Sequence, residues 1–272
     1  PRCAAVCITQ ALDMLIFAAC AISLAAAKTP EPVIVGPGDA TAAVIFLHGI
    51  GDSADGVSVI AKPLLAELPH VRFIFPFAGQ IAMTMHGGAL VRAWFDMKSL
   101  SPDQIAKDVD EKRIKRSAGR LLHIVEEQVT QGVPRDRIVV GGFSQGAVVS
   151  LFGSFYSDHF SDLAGCIAMS GFFPPEAALL RETRARAENR KKTQKKVGPP
   201  VLMVHGTKDP VLAFKLGKKS YDEIKSWSID VPLTFRSVKG MGHSMTPLAL
   251  EHVMRFLKEV LPAQNLPEHE EL

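Results

Sequence analysis

The chain has 272 residues, of which 47% are hydrophobic and 22% are charged, and this balance excludes an intrinsically disordered or low-complexity protein. Its formal net charge of +3 is too small to indicate a nucleic-acid-binding protein, so no nucleic-acid partner is expected. The length fits one large domain, which we place at residues 29–265.

The N-terminal extension, residues 1–28, is apolar. Asp13 is the only charged residue between Cys3 and Ala27, and residues 14–27 form an apolar run. That run is shorter than the about 20 residues that span the hydrocarbon core of a bilayer. Three interpretations stay open: a targeting segment, a membrane-associating tail with acylated cysteines, and a processed or mistranslated leader.

Three of the four cysteines lie in this extension, and Cys166 is the only one in the rest of the chain. A disulfide framework in the main domain is therefore excluded, and no spacing of His and Cys residues indicates a zinc site. The scarcity of cysteine fits a reducing compartment, and we expect a cytoplasmic protein. The apolar extension leaves membrane association and secretory targeting open.

Short β-branched and aromatic runs alternate with longer amphipathic segments from Pro32 onward. This pattern is typical of an α/β protein with a mostly parallel central sheet and helices on both faces. Each run is short and uninterrupted, as expected of strands that are covered on both faces. The predicted strands are residues 42–47, 72–76, 137–140, 166–170, 200–205 and 233–238.

One long helix is predicted to begin at the capping sequence Ser101-Pro102-Asp103-Gln104 and to end at Gly132. Its apolar positions form one continuous stripe, as expected of a helix that packs against a sheet. The stripe comprises Ile114, Ala118, Leu121, Val125 and Val129. Further helices are predicted at residues 147–156 and 247–261, and a short acidic tail follows at residues 266–272.

A G-x-S-x-G sequence, Gly142-Phe143-Ser144-Gln145-Gly146, lies between the predicted strand 137–140 and the predicted helix 147–156. A tight turn from strand to helix needs glycine where side chains would clash, and it presents the serine hydroxyl at the helix N-terminus. The helix dipole there favours a developing negative charge. This context makes Ser144 the candidate nucleophile, and an ordinary surface turn is the alternative.

A serine hydroxyl needs a histidine to take its proton and a carboxylate to orient that histidine. Asp209 follows the predicted strand 200–205, and His243 lies in a glycine-flanked loop after the predicted strand 233–238. The chain order Ser, Asp, His is the order of α/β-hydrolase triads. The alternatives are a turn-forming aspartate and a solvent-exposed loop histidine.

Four other histidines also need weighing as the base. They are His48, His86, His123 and His205. His205 precedes a glycine at the end of a strand, which indicates a structural role, and His123 faces out of a helix.

An acyl-transfer enzyme also needs an oxyanion hole, made of two backbone N–H groups. One N–H is expected from Gln145, directly after the nucleophile, and the other from Ile50 in the glycine-rich turn at residues 47–52. Gly49 and Gly51 let the backbone approach a substrate closely. The turn lacks the glycine patterns of nucleotide-binding loops, so a phosphate site is disfavoured, and an ordinary tight connection is the alternative.

Five segments share a pattern with known proteins. They are LHGIGDSADG at 47–56, AWFDMKSLSPD at 93–103, GGFSQG at 141–146, HGTKDPV at 205–211 and GMGHSM at 240–245. Together they resemble the acyl-protein thioesterases and lysophospholipase-type carboxylesterases of the α/β-hydrolase superfamily. The similarity covers roughly residues 33–262.

This resemblance implies an α/β-hydrolase fold and a serine hydrolase that needs no cofactor and no metal. It assigns the triad to Ser144, Asp209 and His243, and the oxyanion hole to the amides of Ile50 and Gln145. It also implies an apolar channel for an acyl chain. The residues expected to line that channel are Met83, Thr84, Trp94 and Val211; the alternative is that such residues pack the core under a long loop.

The extension and a basic segment at residues 176–198 depart from the family pattern. Between Arg181 and Lys196, eight basic residues stand against two acidic ones, a net charge of +6. This segment could form a helix with Leu179 and Leu180 at its start. It could serve as a lid, as a contact with an anionic membrane, or as a solvated insertion, and we favour the last.

The sequence therefore predicts a serine hydrolase that cleaves fatty-acyl thioesters from S-acylated protein cysteines through an acyl-enzyme intermediate. A broad carboxylesterase or a lysophospholipase acting on oxygen esters is the first alternative. A non-catalytic lipid-binding adaptor is the second. The expected partners are S-acylated proteins or lipid esters, with membrane-surface association and a weak homodimer left open.

Overall fold

The computed structural model describes residues 30–105, 109–174, 178–227 and 229–264. The N-terminal extension and the acidic tail lie outside the described residues. The strands are β1 (Val33–Val35), β2 (Ala42–Leu47), β3 (Val71–Phe75), β4 (Gln80–Met83), β5 (Ala89–Arg92), β6 (Ile138–Phe143), β7 (Gly165–Met169), β8 (Val201–Gly206) and β9 (Leu233–Val238). The helices are α1 (Ala54–Ser58), α2 (Ala61–Glu67), α3 (Pro102–Ile105), α4 (Glu111–Thr130), α5 (Gln145–Tyr156), α6 (Ala178–Lys192), α7 (Phe214–Ser226) and α8 (Pro247–Val260).

Seven strands form the main sheet, in the spatial order β1-β3-β2-β6-β7-β8-β9. The edge strand β1 runs antiparallel to β3, and each of the other neighbouring pairs is parallel. The six predicted strands correspond to β2, β3, β6, β7, β8 and β9. The predicted fold class, a mostly parallel sheet within an α/β protein, is confirmed.

Both faces of the sheet are covered by helices. Along β2, Ile45 packs in one apolar cluster with Leu121 of α4 and Val148 of α5. Its neighbour Phe46 packs in a second cluster with Val253 of α8. Successive residues of a strand point to opposite faces, so an uninterrupted apolar run is what a strand between two helical layers requires.

The start of the long helix differs from the prediction. The capping sequence at Ser101 begins only the four-residue helix α3, and α4 begins at Glu111. Asp110 caps α4, because its Oδ1 accepts a hydrogen bond of 3.1 Å from the backbone N–H of Arg113. The predicted stripe is confirmed: Ile114, Ala118, Leu121 and Val125 are buried, and Val129 packs against them. The chain leaves the helix through Gly132, at a φ of +94°.

The segment between β3 and α4, where no strand was predicted, contains two strands. β4 and β5 form an antiparallel hairpin, in which Met83 pairs with Ala89. This hairpin lies beside the turn that follows β2, because the N–H of Gly51 donates a 2.9 Å hydrogen bond to the carbonyl of Arg92. The hairpin therefore contributes to the surroundings of the predicted site.

The basic segment forms the predicted helix, α6, but it is not merely solvated. α6 is the crossover between the parallel strands β7 and β8, and its inward residues Leu179, Thr183 and Ala187 have no exposed surface. Arg190 is buried as well, where it donates to the carbonyl of Phe155 and to Asp158. The favoured interpretation as a solvated insertion is therefore wrong for this inward face.

No helix within the described ranges is both long enough and apolar enough to span a bilayer.

Candidate active site

Ser144 occupies a sharp turn between β6 and α5. Its backbone has a φ of 54° and a ψ of −116°, a strained conformation for a residue with a side chain. The two flanking glycines permit this turn. A Cβ at Gly142 would overlap the backbone of Gly146, and a Cβ at Gly146 would overlap the carbonyl of Leu47 at the end of β2. The G-x-S-x-G spacing is thus a steric requirement of the turn.

This turn places Ser144 at the N-terminus of α5, where unpaired N–H groups and the helix dipole favour negative charge. The Ser144 N–H donates a 2.9 Å hydrogen bond to the carbonyl of Met169, which ties the turn to β7. Ser144 is 5% exposed, so the hydroxyl is sheltered from bulk water but reachable. The arrangement is the one that acyl-transfer serines use.

Asp209 follows β8, and its carboxylate is fully buried. Its Oδ2 accepts a 2.8 Å hydrogen bond from Nδ1 of His243. Its Oδ1 accepts hydrogen bonds from the N–H groups of Val211, at 2.9 Å, and Leu212, at 2.8 Å. Burial by itself raises the pKa of Asp209, but the hydrogen bonds from His205, His243 and the Leu212 amide outweigh it, so the pKa lies well below its ordinary value. The carboxylate is therefore charged and held in one orientation.

His243 lies in the loop after β9 and turns back toward β6. Its ring centroid is 4.7 Å from that of Phe143, the residue before Ser144. Its side chain is 15% exposed. Among the described residues no hydrogen bond joins His243 to the Ser144 hydroxyl, and contacts of this kind are often long before substrate binds. The loop thus brings the imidazole to the nucleophile turn and to Asp209 together.

The glycine-rich turn after β2 lies against the nucleophile. A Cβ built on Gly49 would be 3.4 Å from the Cβ of Ser144. Gly51 has a φ of +74°, which favours glycine. β2 and β6 are neighbours in the sheet, so the ends of both strands reach the same place. Ile50 and Gln145, the two predicted oxyanion donors, are therefore on segments that flank Ser144.

The similarity to known proteins extends over nearly the whole domain. A family model described as phospholipase/carboxylesterase matches residues 29–261. The chain belongs to the phospholipase/carboxylesterase family. An acyl-protein thioesterase 1 homologue from Dictyostelium discoideum is 36% identical over 224 residues, which is 82% of this chain and 92% of that protein. Acyl-protein thioesterase 1 from Yarrowia lipolytica is 33% identical over 238 residues, 85% of this chain and 97% of that protein.

Solved structures show the same fold as this phospholipase/carboxylesterase-family protein. Acyl-protein thioesterase 2 from Zea mays is 25% identical, with a TM-score of 0.67 over 85% of this chain and 99% of that one. SOBER1 from Arabidopsis thaliana has a TM-score of 0.65 at 22% identity, over 81% of this chain and 99% of that one. The resemblance drawn from the motifs, the α/β-hydrolase fold and the assignment as a serine hydrolase are confirmed.

The four residues that were expected to line an acyl channel lie in different environments. Met83 has no exposed surface, and its sulfur accepts a hydrogen bond from the N–H of Met97, so Met83 belongs to the core rather than to an open channel. Trp94 is 4% exposed. Thr84 is exposed and bonded to Asp96. Val211 is half-buried, and its N–H donates to Asp209 of the predicted triad.

Two histidines that the sequence did not identify as part of the site contact it in the structure. His205 is buried, and its Nε2 is 2.8 Å from the carbonyl of Leu212 and 3.4 Å from Oδ2 of Asp209. His48 is fully buried directly beneath the turn that holds Gly49. Both histidines precede a glycine at the end of a central strand, and that position was the available signal. In the described part of the chain, no group of three or more His, Cys, Asp and Glu residues could hold a metal ion.

Proposed function

We propose that this serine hydrolase cleaves fatty-acyl thioesters from S-acylated protein cysteines, with Ser144 as nucleophile, His243 as base and Asp209 as the orienting carboxylate. The observation that carries the proposal is the 2.8 Å hydrogen bond between His243 and Asp209, on a loop packed against the strained serine turn. The thioester preference is taken from the relatives, which are named acyl-protein thioesterases.

In the acylation half of the reaction, Ser144 Oγ attacks the acyl carbonyl carbon while Nε2 of His243 takes the hydroxyl proton. The carbonyl oxygen becomes an oxyanion, which the N–H groups of Ile50 and Gln145 stabilise. The tetrahedral intermediate then expels the cysteine thiolate, and the imidazolium of His243 supplies its proton. The acyl group is left as an ester on Ser144.

Deacylation repeats the same steps with water as nucleophile. His243 removes a proton from the water, which attacks the acyl-enzyme carbonyl, and the same two N–H groups stabilise the second oxyanion. The imidazolium then returns its proton to Ser144 Oγ, which releases the fatty acid. Asp209 stays ionised throughout, because its low pKa lets it stabilise the imidazolium without taking the proton.

Replacement of the nucleophile tests the proposal. Ser144→Ala is expected to lose at least about a thousandfold in turnover, because no other group can form the acyl-enzyme. Ser150→Ala is the matched control, since Ser150 lies on the same helix and its hydroxyl has no hydrogen-bond partner among the residues that the structure describes. A fluorophosphonate probe should label wild type and Ser150→Ala at Ser144. A Ser144→Ala enzyme with near-normal turnover would sink the assignment.

The substrate class is tested separately, on wild-type protein. Palmitoyl-thioester peptide, a short p-nitrophenyl ester and lysophosphatidylcholine are compared by kcat/KM under one condition. We expect the thioester peptide to rank first. A higher kcat/KM for an oxygen ester would support the carboxylesterase or lysophospholipase alternative. A protein that hydrolyses none of the three and takes no label would be the non-catalytic adaptor.

Membrane-surface association belongs to the same proposal, because a long acyl chain partitions into lipid. Leu90 of β5 is 69% exposed, on the hairpin that is hydrogen-bonded to the turn carrying Ile50. An apolar side chain so placed could meet the lipid from which the substrate is drawn. Flotation with phosphatidylcholine vesicles, compared between wild type and Leu90→Ser, tests this.

The weak homodimer and the cytoplasmic location stay predictions.

A further inference from the structure

We propose that His48 and Trp94 are positioning residues that set the two oxyanion donors, Ile50 and Gln145, at a fixed distance and direction from each other. The inference rests on the proposed function, because it assumes that these two N–H groups stabilise an oxyanion. Neither donor N–H has a hydrogen-bond acceptor within the described residues. Both are therefore free to bind a substrate oxygen, and something other than their own hydrogen bonds must orient them.

His48 orients the first donor. The N–H of Ala78 donates a 2.9 Å hydrogen bond to Nε2 of His48, so Nε2 is an acceptor and the ring proton is on Nδ1. That Nδ1–H donates a 2.7 Å hydrogen bond to the carbonyl of Gly49. The Gly49 carbonyl and the Ile50 N–H belong to the same planar trans peptide and point in opposite directions. Holding the carbonyl toward His48 therefore turns the Ile50 N–H away from it.

Trp94 and its neighbour Phe95 orient the second donor and tie it to the first. The Trp94 indole N–H donates a 2.8 Å hydrogen bond to the carbonyl of His48. The side-chain amide of Gln145 accepts from the backbone N–H of Trp94, at 3.1 Å, and donates to the carbonyl of Phe95, at 2.9 Å. One dipeptide thus holds both the turn after β2 and the first residue of α5.

This dipeptide is itself anchored. The hydroxyl of Ser117, on α4, donates a 2.6 Å hydrogen bond to the carbonyl of Trp94. His48, Trp94 and Gln145 are all buried, so water cannot replace these bonds cheaply. An oxyanion hole works because its donors are fixed before charge develops. The network supplies that rigidity through hydrogen bonds among buried groups.

The two tryptophans give the first test. Trp94→Phe keeps the ring but loses the indole donor, and we expect kcat for p-nitrophenyl ester hydrolysis to fall about tenfold, with KM changed less than about twofold. Trp227→Phe is the matched control, since Trp227 is as little exposed as Trp94 and its indole N–H donates to Glu223 on the adjoining helix α7. Its kcat should stay at the wild-type level. Equal kcat values for the two variants would overturn the inference.

Two replacements of His48, each of which mimics one ring nitrogen, give the second test. In His48→Asn the amide nitrogen takes the place of Nδ1 and can still donate to Gly49, whereas in His48→Gln the amide oxygen takes the place of Nε2 and serves only Ala78. Each variant loses one buried hydrogen bond. A purely structural role predicts similar kcat and similar melting temperatures. Positioning of Ile50 predicts that His48→Asn keeps a kcat about tenfold higher than His48→Gln, at matched KM.

A fluorophosphonate label separates this inference from the proposed function. If wild-type protein is not labelled at Ser144, the proposed function fails. There is then no oxyanion for the N–H groups of Ile50 and Gln145 to stabilise. If it is labelled and the variants behave like the Trp227→Phe control, only the positioning role fails. A second readout is the affinity for an alkyl boronic acid, which becomes tetrahedral on Ser144. Its inhibition constant should rise in Trp94→Phe and His48→Gln in proportion to the loss of kcat.

Discussion

At the scale of single residues, the carboxylate of Asp209 is held in place at both of its oxygens. Two backbone N–H groups hold Oδ1, and Oδ2 lies between the imidazoles of His243 and His205, at 2.8 Å and 3.4 Å. A carboxylate held this way cannot rotate, so it fixes both the ring orientation of His243 and the tautomer with the proton on Nδ1.

Replacement of this carboxylate should cost turnover rather than fold. In Asp209→Asn an amide no longer selects the Nδ1–H tautomer, and we expect kcat to fall between about 10²- and 10⁴-fold with little change in KM. Asp222→Asn is the control, since Asp222 is exposed and pairs with Lys218 on its own helix. Steady-state kinetics at pH 7 would decide the matter. A kcat within threefold of wild type would show that Asp209 does not orient the base.

The glycines around Ser144 show why part of the site can be predicted from the sequence. Gly142 and Gly146 are required by contacts within one turn, so the motif carries its own geometry. The contact between His48 and Ala78 is different in kind. His48 accepts a hydrogen bond from the N–H of Ala78, which is 30 residues away, and no local sequence pattern predicts such a partner. Sequence reasoning therefore found the nucleophile and missed the histidine beneath the oxyanion turn.

At the scale of secondary structure, the start of α4 shows how tertiary pairing decides where a helix begins. The sequence predicted a cap at Ser101, whereas Asp110, another residue type preferred at the N-cap, caps α4 in the structure. In the structure, Val109 pairs with Met97 in an isolated bridge, so the chain is extended just before Asp110 and cannot be helical through it. This pairing joins residues that lie on separate segments, and it overrides the upstream cap.

The cap assignment predicts a difference in stability. Asp110→Ala removes the bond to the Arg113 N–H and the 2.7 Å ion pair with its guanidinium, so the free energy of unfolding should fall by about 1 kcal/mol. Ser101→Ala should cost less than half of that. Urea denaturation followed by circular dichroism gives both values. A larger loss at Ser101 would mean that the upstream helix contributes the dominant cap.

The α6 helix shows the limit of reading charge from composition. Its basic residues suggested a solvated segment, yet Arg186 pairs with Glu182, Arg184 with Glu188, and Arg190 with Asp158. Periodicity alone could have shown that Leu179, Thr183 and Ala187 share one face, at intervals of four residues. The high charge masked this weak apolar stripe. The crossover position between β7 and β8 explains why it must be buried.

At the scale of the whole molecule, the strand order assembles the site. β2 lies beside β6, which brings the oxyanion turn to the nucleophile, and β8 lies beside β9, which brings Asp209 to His243. β7 separates the two pairs, so the His243 loop must reach back across it to contact Phe143. The six parallel strands were predictable from their apolar runs. Their spatial order was not, because it depends on packing between distant segments.

The stability of the whole molecule should also depend on the neutral state of His48. Burial lowers the pKa of His48 from its ordinary value of 6.5, the hydrogen bond to Gly49 and nearby Asp52 oppose this, and Arg92 and Arg120 reinforce it. Below pH 6.5, His48 binds a proton in the unfolded chain but stays neutral in the folded protein until the pH reaches the lowered pKa. The free energy of unfolding is therefore highest above pH 6.5 and falls as the pH drops toward the lowered pKa.

Melting temperatures measured from pH 8 to pH 5 would expose this dependence, and His48→Asn should flatten it because an amide does not titrate. His252 provides the matched comparison. Its pKa is lowered as well, first by burial and then by Arg236 and Arg255, but it is partly exposed and solvent screens its contribution. His252→Asn should leave the slope close to that of wild type. If His48→Asn and wild type lose stability in parallel, the acid sensitivity arises from another group. Protonation of His48, which would remove the acceptor for the Ala78 N–H, is then not its cause.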